Sequence, residues 1–263
     1  MTTTLKIMRI AIIVPCYNEQ ARLDVDYWRQ IEDIPCLTLI FVNDGSTDET
    51  QGIIDKICSA GRSRSVDLPV NVGKSEAVRI GLRYALGDSD SAFAGVGFID
   101  CDGAFTISDV QRFVDIWENR CVQSSFDAVW SARIGLSGRA VRRTNFRHYV
   151  GRIIATLVSV GLPQCPYDTQ SGFKLWRKSS ALMKCTEVKF RTRWFFEVEL
   201  LQRWLVNEKR VMSIWEEPVE SWQDVPGSKI GVGQILHVLS DLFLIKRLMR
   251  LSLRQIRSVN SWT

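Results

Sequence analysis

The sequence predicts an α/β protein built on a doubly wound, mainly parallel sheet with flanking helices and no transmembrane span. Three observations predict it. Short β-branched runs alternate with amphipathic segments through the first part of the chain. Polar residues follow each run directly, at the strand ends where such sheets place ligands. The longest uncharged stretch, Ile153 to Tyr167, has only 15 residues and holds Pro163 and Pro166, whereas a spanning helix needs about 18 or more apolar residues.

The elements follow in order. Arg9–Val14 and Leu37–Val42 read as fully buried strands, and Gly95–Ile99 as a third. Between them Glu19–Asp33, Thr47–Ala60 and Lys74–Leu86 have the apolar spacing of helices. Ser46-Thr47-Asp48-Glu49 forms a capping-box pattern that sets the second helix to start just after the Asp44-Gly45 turn. After residue 132 the pattern is less regular. It comprises a basic loop, an apolar segment over Tyr149–Val160, a two-proline turn, an aromatic-rich helix near Trp194–Leu205, a strand near Val211–Ile214 and a final helix from about Gly233.

The 263 residues, 46% of them hydrophobic and 24% charged, exclude disorder and a disulfide-stapled miniature. Seven cysteines stand singly and there are only two histidines, so neither a zinc site nor a disulfide framework is expected. Ile10–Val14 is too short for a signal-peptide core and has no small-residue cleavage site after it, which gives the expectation of a cytoplasmic protein. The net charge of +5 divides unevenly. Up to residue 131 there are 12 Lys and Arg against 19 Asp and Glu, net −7; beyond it there are 22 against 10, net +12. An acidic half suits a metal ion, and a basic half suits phosphate or an anionic surface. No recognised nucleic-acid motif is present, and nucleic acid is not an expected partner.

The chemistry-bearing residues sit at the predicted strand ends. The first strand runs into Pro15-Cys16-Tyr17-Asn18-Glu19 and the second into Asn43-Asp44-Gly45. Carboxylates there can accept from a ribose hydroxyl or a base N–H, and Tyr17 can pack on a base face. The third strand runs into Asp100-Cys101-Asp102. In extended chain, residues two apart point the same way, so both carboxylates can meet one hard cation, Mg²⁺ or Mn²⁺, that also holds a diphosphate. Asn71-Val72-Gly73-Lys74-Ser75 lacks the earlier glycine of a phosphate loop, since residue 68 is Leu. Lys74 can still meet a phosphate or a carboxylate at its helix start.

Four ordered motifs, VPCYNE (14–19), VNDGSTDET (42–50), NVGKSEAVRIGL (71–82) and FIDCDGAF (98–105), resemble those of family 2 glycosyltransferases. Three further segments, DTQSGFKLW (168–176), RWFFEVELL (193–201) and PGSKI (226–230), are similar to members of that family that make polyprenyl-phosphate sugars, the dolichyl-phosphate β-glucosyltransferases among them. The resemblance implies a GT-A fold over residues 1–231, with a nucleotide-sugar and metal half at 1–131 and an acceptor half at 132–231. Residues 232–263 are expected to add a basic amphipathic C-terminal helix. It implies that Pro15, Tyr17, Glu19 and Asp44 cradle base and ribose, that Lys74 lies near the nucleotide, and that Asp100 and Asp102 serve the donor phosphate and the metal. Asp168 matches an aspartate proposed as base or acceptor-site residue, and Glu197 stands where Phe-Asp is more usual; these two are the candidate catalytic carboxylates, either of which would be the base that a hydroxyl acceptor needs.

Between residues 128 and 167 there is no acidic residue, while Arg133, Arg139, Arg142 and Arg143 occur together. They are candidates to bind a lipid phosphate. The implied activity is inverting transfer of a hexose from UDP-glucose or GDP-mannose, UDP-glucose favoured, to a polyprenyl or dolichyl phosphate by a protein peripheral to the cytoplasmic face of a membrane. The alternatives are a family 2 enzyme acting on a saccharide or protein hydroxyl and a non-catalytic nucleotide-sugar-binding protein.

Overall fold

The computed structural model describes residues 8–59, 61–89, 92–122, 126–142, 156, 165–193, 195–223, 241, 243–245 and 247. Its first strand, β1 (Ile10–Cys16), lies between β2 (Leu37–Asn43) and β4 (Gly95–Ile99), parallel to both, and β2 pairs in turn with parallel β3 (Arg64–Asp67). Beyond β4 come β7 (Phe173–Arg177), β5 (Ala128–Ala132) and β8 (Ile214–Pro218), giving a seven-stranded sheet of order β3-β2-β1-β4-β7-β5-β8. β7 runs antiparallel to both its neighbours. Its first residues therefore lie at the same sheet edge as the last residues of β4. Two short strands, β6 (Ala140–Arg142) and β9 (Ser221–Gln223), pair separately.

The buried runs of β1 and β2 divide their side chains between two faces with the period of two that a strand imposes. Ala11, Ile13, Ile40 and Val42 join a core layer with Ala77, Val78 and Leu82 of α3 (Lys74–Gly87) and Phe196, Val198 and Leu200 of α6 (Phe196–Glu208). Ile10, Ile12, Val14, Leu39 and Phe41 face the other layer. There they meet Trp28 and Ile31 of α1 (Val25–Glu32), Ile54 and Ile57 of α2 (Thr50–Cys58), and Val110, Phe113 and Trp117 of α4 (Ile107–Trp117). A short α5 (Ser180–Cys185) completes the first layer. The expected doubly wound, mainly parallel architecture is the one observed. No helix among the described residues is long and apolar enough to cross a membrane. The six cysteines among the described residues whose side chains are placed are unbridged.

Several boundaries differ from expectation, each for a local reason. α1 starts at Val25 because Glu19 first closes a turn, its carbonyl accepting from Arg22 and Leu23 N–H, and Asp24 then caps the helix. α2 starts at Thr50 and the Ser46 capping box does not form. The Ser46 hydroxyl accepts from Asn18 N–H at 3.0 Å instead, and Asp48 accepts from Thr50 N–H at 3.1 Å. β3, α4, β5, β6, β7, α5 and β9 were not foreseen as elements, and the strand expected near Val211–Ile214 is Ile214–Pro218. The apolar segment 149–160, apart from residue 156, and the basic helix expected at 232–263, apart from residues 241, 243–245 and 247, lie outside the described residues.

Candidate active site

Asp44 follows β2 and is buried. Its carboxylate accepts from Val72 N–H at 2.7 Å, Gly73 N–H at 2.9 Å and Asn71 Nδ2 at 3.0 Å. This closes the turn that delivers Lys74 to the first position of α3. Gly45, at φ 63°, allows the approach: a Cβ there would lie 2.4 Å from the Val70 carbonyl carbon.

Across the edge, Lys74 Nζ lies 2.5 Å from Asp100 Oδ1. Burial disfavours the ammonium charge, yet Asp100, Glu197 and Asp102 outweigh that cost and hold Lys74 above its ordinary value. Asp100 donates its N–H to the Gly172 carbonyl at 2.9 Å, tying the end of β4 to the segment before β7. Asp102 accepts from Ala104 N–H at 3.2 Å. Burial first, then the Asp100 charge, push its carboxyl above the ordinary value.

Gly172 shapes this pair. A Cβ at that position would lie 2.3 Å from Asp100 Oδ2, so a methyl group must displace the flexible carboxylate while leaving the backbone in place. Gly172→Ala is expected to lower kcat/KM by about a hundredfold through that displacement while changing the melting temperature little. Unchanged kcat/KM would show that the position of the Asp100 carboxylate is not what matters.

The first strand end is similarly tied. Pro15 is buried in β1, opposite Val42. Tyr17 is half-buried, and Asn18, at φ 50°, accepts from Thr47 N–H at 2.8 Å. Glu19 is buried and forms a two-pronged ion pair with Arg22 at 2.7 and 2.6 Å.

Asp168 and Arg133, expected in separate roles, meet each other. Asp168 accepts from Arg133 Nε at 2.7 Å and Nη2 at 2.9 Å, and from Arg133 N–H at 3.1 Å. The Arg133 guanidinium also lies 5.2 Å from the Trp222 ring centre. Glu216 accepts from Tyr167 and Asp168 N–H at 2.8 and 3.1 Å, fixing that segment to β8. Arg139 donates to the Pro218 carbonyl at 3.0 Å. Arg142 ends β6, and its side chain, like Arg143, lies outside the described residues.

One residue that sequence reasoning assigned no role is central. Lys174 of β7 is fully buried, its Nζ 2.5 Å from the Ser171 carbonyl and 3.2 Å from Glu197 Oε1. It lies over the Trp130 and Phe98 rings at 4.9 and 5.2 Å. Burial lowers its proton affinity, although Glu197 and Asp168 oppose the shift. Burial likewise pushes Glu197 up, against the pull of Lys174 and Lys74. The available signal was a lysine set between apolar neighbours, Phe173 before it and Leu175 and Trp176 after it, since a buried cation requires a paired anion.

The site is thus a row of charged groups along one sheet edge. It offers two carboxylates for a cation, an ammonium and a helix start for an anion, and an arginine paired with Asp168. The model of "Glycosyl transferase family 2" matches residues 11–171. The chain is 30% identical over 253 residues to a dolichyl-phosphate beta-glucosyltransferase of Drosophila melanogaster, covering 90% of this chain and 74% of that protein. It is 28% identical over 257 residues to the Saccharomyces cerevisiae protein of the same name, covering 90% and 74%. Among solved structures, glucosyl-3-phosphoglycerate synthase from Mycobacterium tuberculosis, in complex with Mn²⁺, UDP and glucosyl-3-phosphoglycerate, superposes with a TM-score of 0.57 at 19% identity, covering 95% of this chain and 80% of that one.

Proposed function

Because the chain belongs to glycosyltransferase family 2 and has the GT-A fold, we propose that it moves a hexose from a nucleotide sugar, UDP-glucose before GDP-mannose, to a polyprenyl or dolichyl phosphate with inversion at C1. The observation that carries the reading is the strand-end constellation of Asp44, Lys74, Asp100 and Asp102 in a chain whose relatives, matched over most of their length, are named dolichyl-phosphate beta-glucosyltransferases.

Asp44 supports the donor side by fixing the turn before Lys74, with Pro15, Tyr17 and Glu19 lining the first strand end for base and ribose. Lys74, at the start of α3, is placed to meet the donor phosphates. The residues present fit a divalent cation: Asp100 and Asp102 offer hard oxygen donors, and the raised Asp102 carboxyl lies beside a second negative charge that a cation relieves. When bound there, Mg²⁺ or Mn²⁺ supplies charge stabilisation for the departing diphosphate.

The acceptor phosphate has a second pKa of about 6 and is largely ionised near neutral pH. Attack on C1 therefore does not call for a strong base. Asp168 accordingly serves to hold Arg133 ready, and Arg133, with Arg139, Arg142 and Arg143, receives the acceptor phosphate. The basic C-terminal half, net +12 beyond residue 131, supports the reading of a peripheral protein on the cytoplasmic face of a membrane.

Purified protein incubated with dolichyl or undecaprenyl phosphate and labelled UDP-glucose or GDP-mannose is expected to pass label from UDP-glucose into the organic extract, and EDTA is expected to stop it. Metal-dependent transfer to soluble saccharides with no lipid label would replace this reading by the hydroxyl-acceptor one. Donor binding without turnover on any acceptor would replace it by a binding protein.

A further inference from the structure

The two most exposed large apolar side chains among the described residues are Phe243, 72% exposed, and Val188, 66% exposed. Both belong to segments bound to α6. Arg203 of α6 donates to the carbonyls of Cys185, Val188 and Lys189 at 2.8, 2.5 and 2.7 Å, and Glu199 accepts from Arg191 and Thr192 N–H at 2.9 and 3.1 Å. Gln202 of α6 donates to the Ile245 carbonyl at 3.3 Å. The two segments meet where Asp241 accepts from Arg193 N–H at 2.9 Å.

With the backbone held in this way, the side chains left in solvent are basic and apolar. Between Met183 and Arg193 four cations, Lys184, Lys189, Arg191 and Arg193, stand against one acid, Glu187, and all five are exposed. Residues 241, 243–245 and 247 are helical, and Asp241 and Ile245, four positions apart, are buried. At about 3.6 residues per turn Phe243 falls on the opposite face. Arg247, four positions further on, shares that face and is exposed. The side chains of Lys184, Lys189, Arg191, Arg193 and Arg247 make no hydrogen bond or ion pair among the described residues.

An aromatic ring in water is unfavourable, and unpaired cations beside it are favourable next to anionic headgroups. We propose that Phe243 and Val188, together with Lys189, Arg191, Arg193 and Arg247, form the face that lies on an anionic phospholipid bilayer, with the Phe243 ring entering the boundary between headgroups and acyl chains. Arg193 stands four residues before Glu197, at the end of α6 where Glu197 pairs with Lys174. The bound face therefore brings the charged edge of the site to the bilayer surface, where a lipid phosphate is presented. The inference rests on the reading of a membrane-peripheral protein and says which surface makes the contact.

Co-sedimentation of the full chain with vesicles free of polyprenyl phosphate tests it. Vesicles of equal parts phosphatidylserine and phosphatidylcholine are expected to bind the protein, and vesicles of phosphatidylcholine alone to bind it about tenfold more weakly or less. Phe243→Ser is expected to weaken binding about tenfold, as the loss of one inserted ring, and Lys189→Gln with Arg191→Gln by about tenfold or more. Arg29→Gln with Lys56→Gln removes the same charge from exposed positions on α1 and α2, in the layer on the other side of the sheet, and is expected to leave binding unchanged. Equal losses from the two charge pairs overturn the inference, because net charge alone then governs binding. A loss with Lys189→Gln and Arg191→Gln but none with Phe243→Ser also overturns it, because the cations then serve a polyanion without entering a bilayer. An unaltered protein that binds neither vesicle defeats the peripheral reading itself. The expected losses in a protein that passes no sugar to any lipid phosphate support this surface and defeat the transferase reading.

Discussion

Asp102→Ala is expected to abolish sugar transfer, lowering the rate by about a thousandfold or more, in a protein that still folds. The carboxylate contributes one backbone hydrogen bond to the structure, from Ala104 N–H, so its removal costs about 1 kcal/mol of stability at most. Its expected functional weight is larger because it follows the end of β4, two residues from Asp100, in the pair proposed to hold the cation. The measurement is transfer to the lipid phosphate at saturating Mn²⁺ together with a thermal melt. A folded Asp102→Ala protein with full activity would defeat the assignment of this pair to the cation and the donor diphosphate. Its outcome also separates two roles of the strand end. If Asp102→Ala is inactive while Gly172→Ala retains full activity, Asp102 carries the chemistry and Asp100 serves to anchor Lys74.

The half of the site that was legible in the sequence is the half built on parallel strands. β1, β2 and β4 are continuous apolar runs, and each hands over directly to polar residues, so the position of Tyr17, Asp44 and Asp100-x-Asp102 just past the strand ends was legible without knowledge of side-chain contacts. The second half was harder because it comes from contacts distant in sequence. β7 crosses the sheet in the opposite sense, which brings Ser171 and Gly172 to the Asp100 edge. Nothing in the spacing of DTQSGFKLW signals that reversal.

The Asp168–Arg133 pair spans 35 residues. Each member was legible as a charged residue, but their mutual neutralisation was not. β3 escaped notice because its four residues, Arg64–Asp67, alternate between half-buried and exposed and include no long apolar run. The misplaced start of α2 has the same origin. Ser46 fits a capping box by local rules, but Asn18, 28 positions earlier, claims its hydroxyl. Local pattern thus located the polar residues at the ends of the parallel strands, whereas the groups that position those residues depended on the three-dimensional sheet order.

Lys174→Met carries the largest expected stability effect. The ammonium is fully enclosed, and its replacement leaves the Glu197 carboxylate buried without its partner and the Ser171 carbonyl without its donor. Removing one member of a buried pair costs about 3–5 kcal/mol, whereas replacing both by neutral groups is often nearly neutral. Lys174→Met with Glu197→Gln should therefore recover most of the stability that Lys174→Met alone loses in urea denaturation. The pH dependence follows from the sign of the Glu197 shift. Burial already raises that carboxyl above its ordinary value of 4.5, and loss of the nearby Lys174 charge raises it further. A carboxyl whose folded value exceeds its unfolded one costs stability at pH above the unfolded value, and the cost disappears as the pH falls below it. The deficit of Lys174→Met should accordingly shrink as the pH is lowered toward 4.5, while the double variant, which has no carboxylate at 197, should show no such recovery. A Lys174→Met protein as stable as the unaltered one, or a double variant no better than the single, would mean that the buried pair does not hold the floor of the site together.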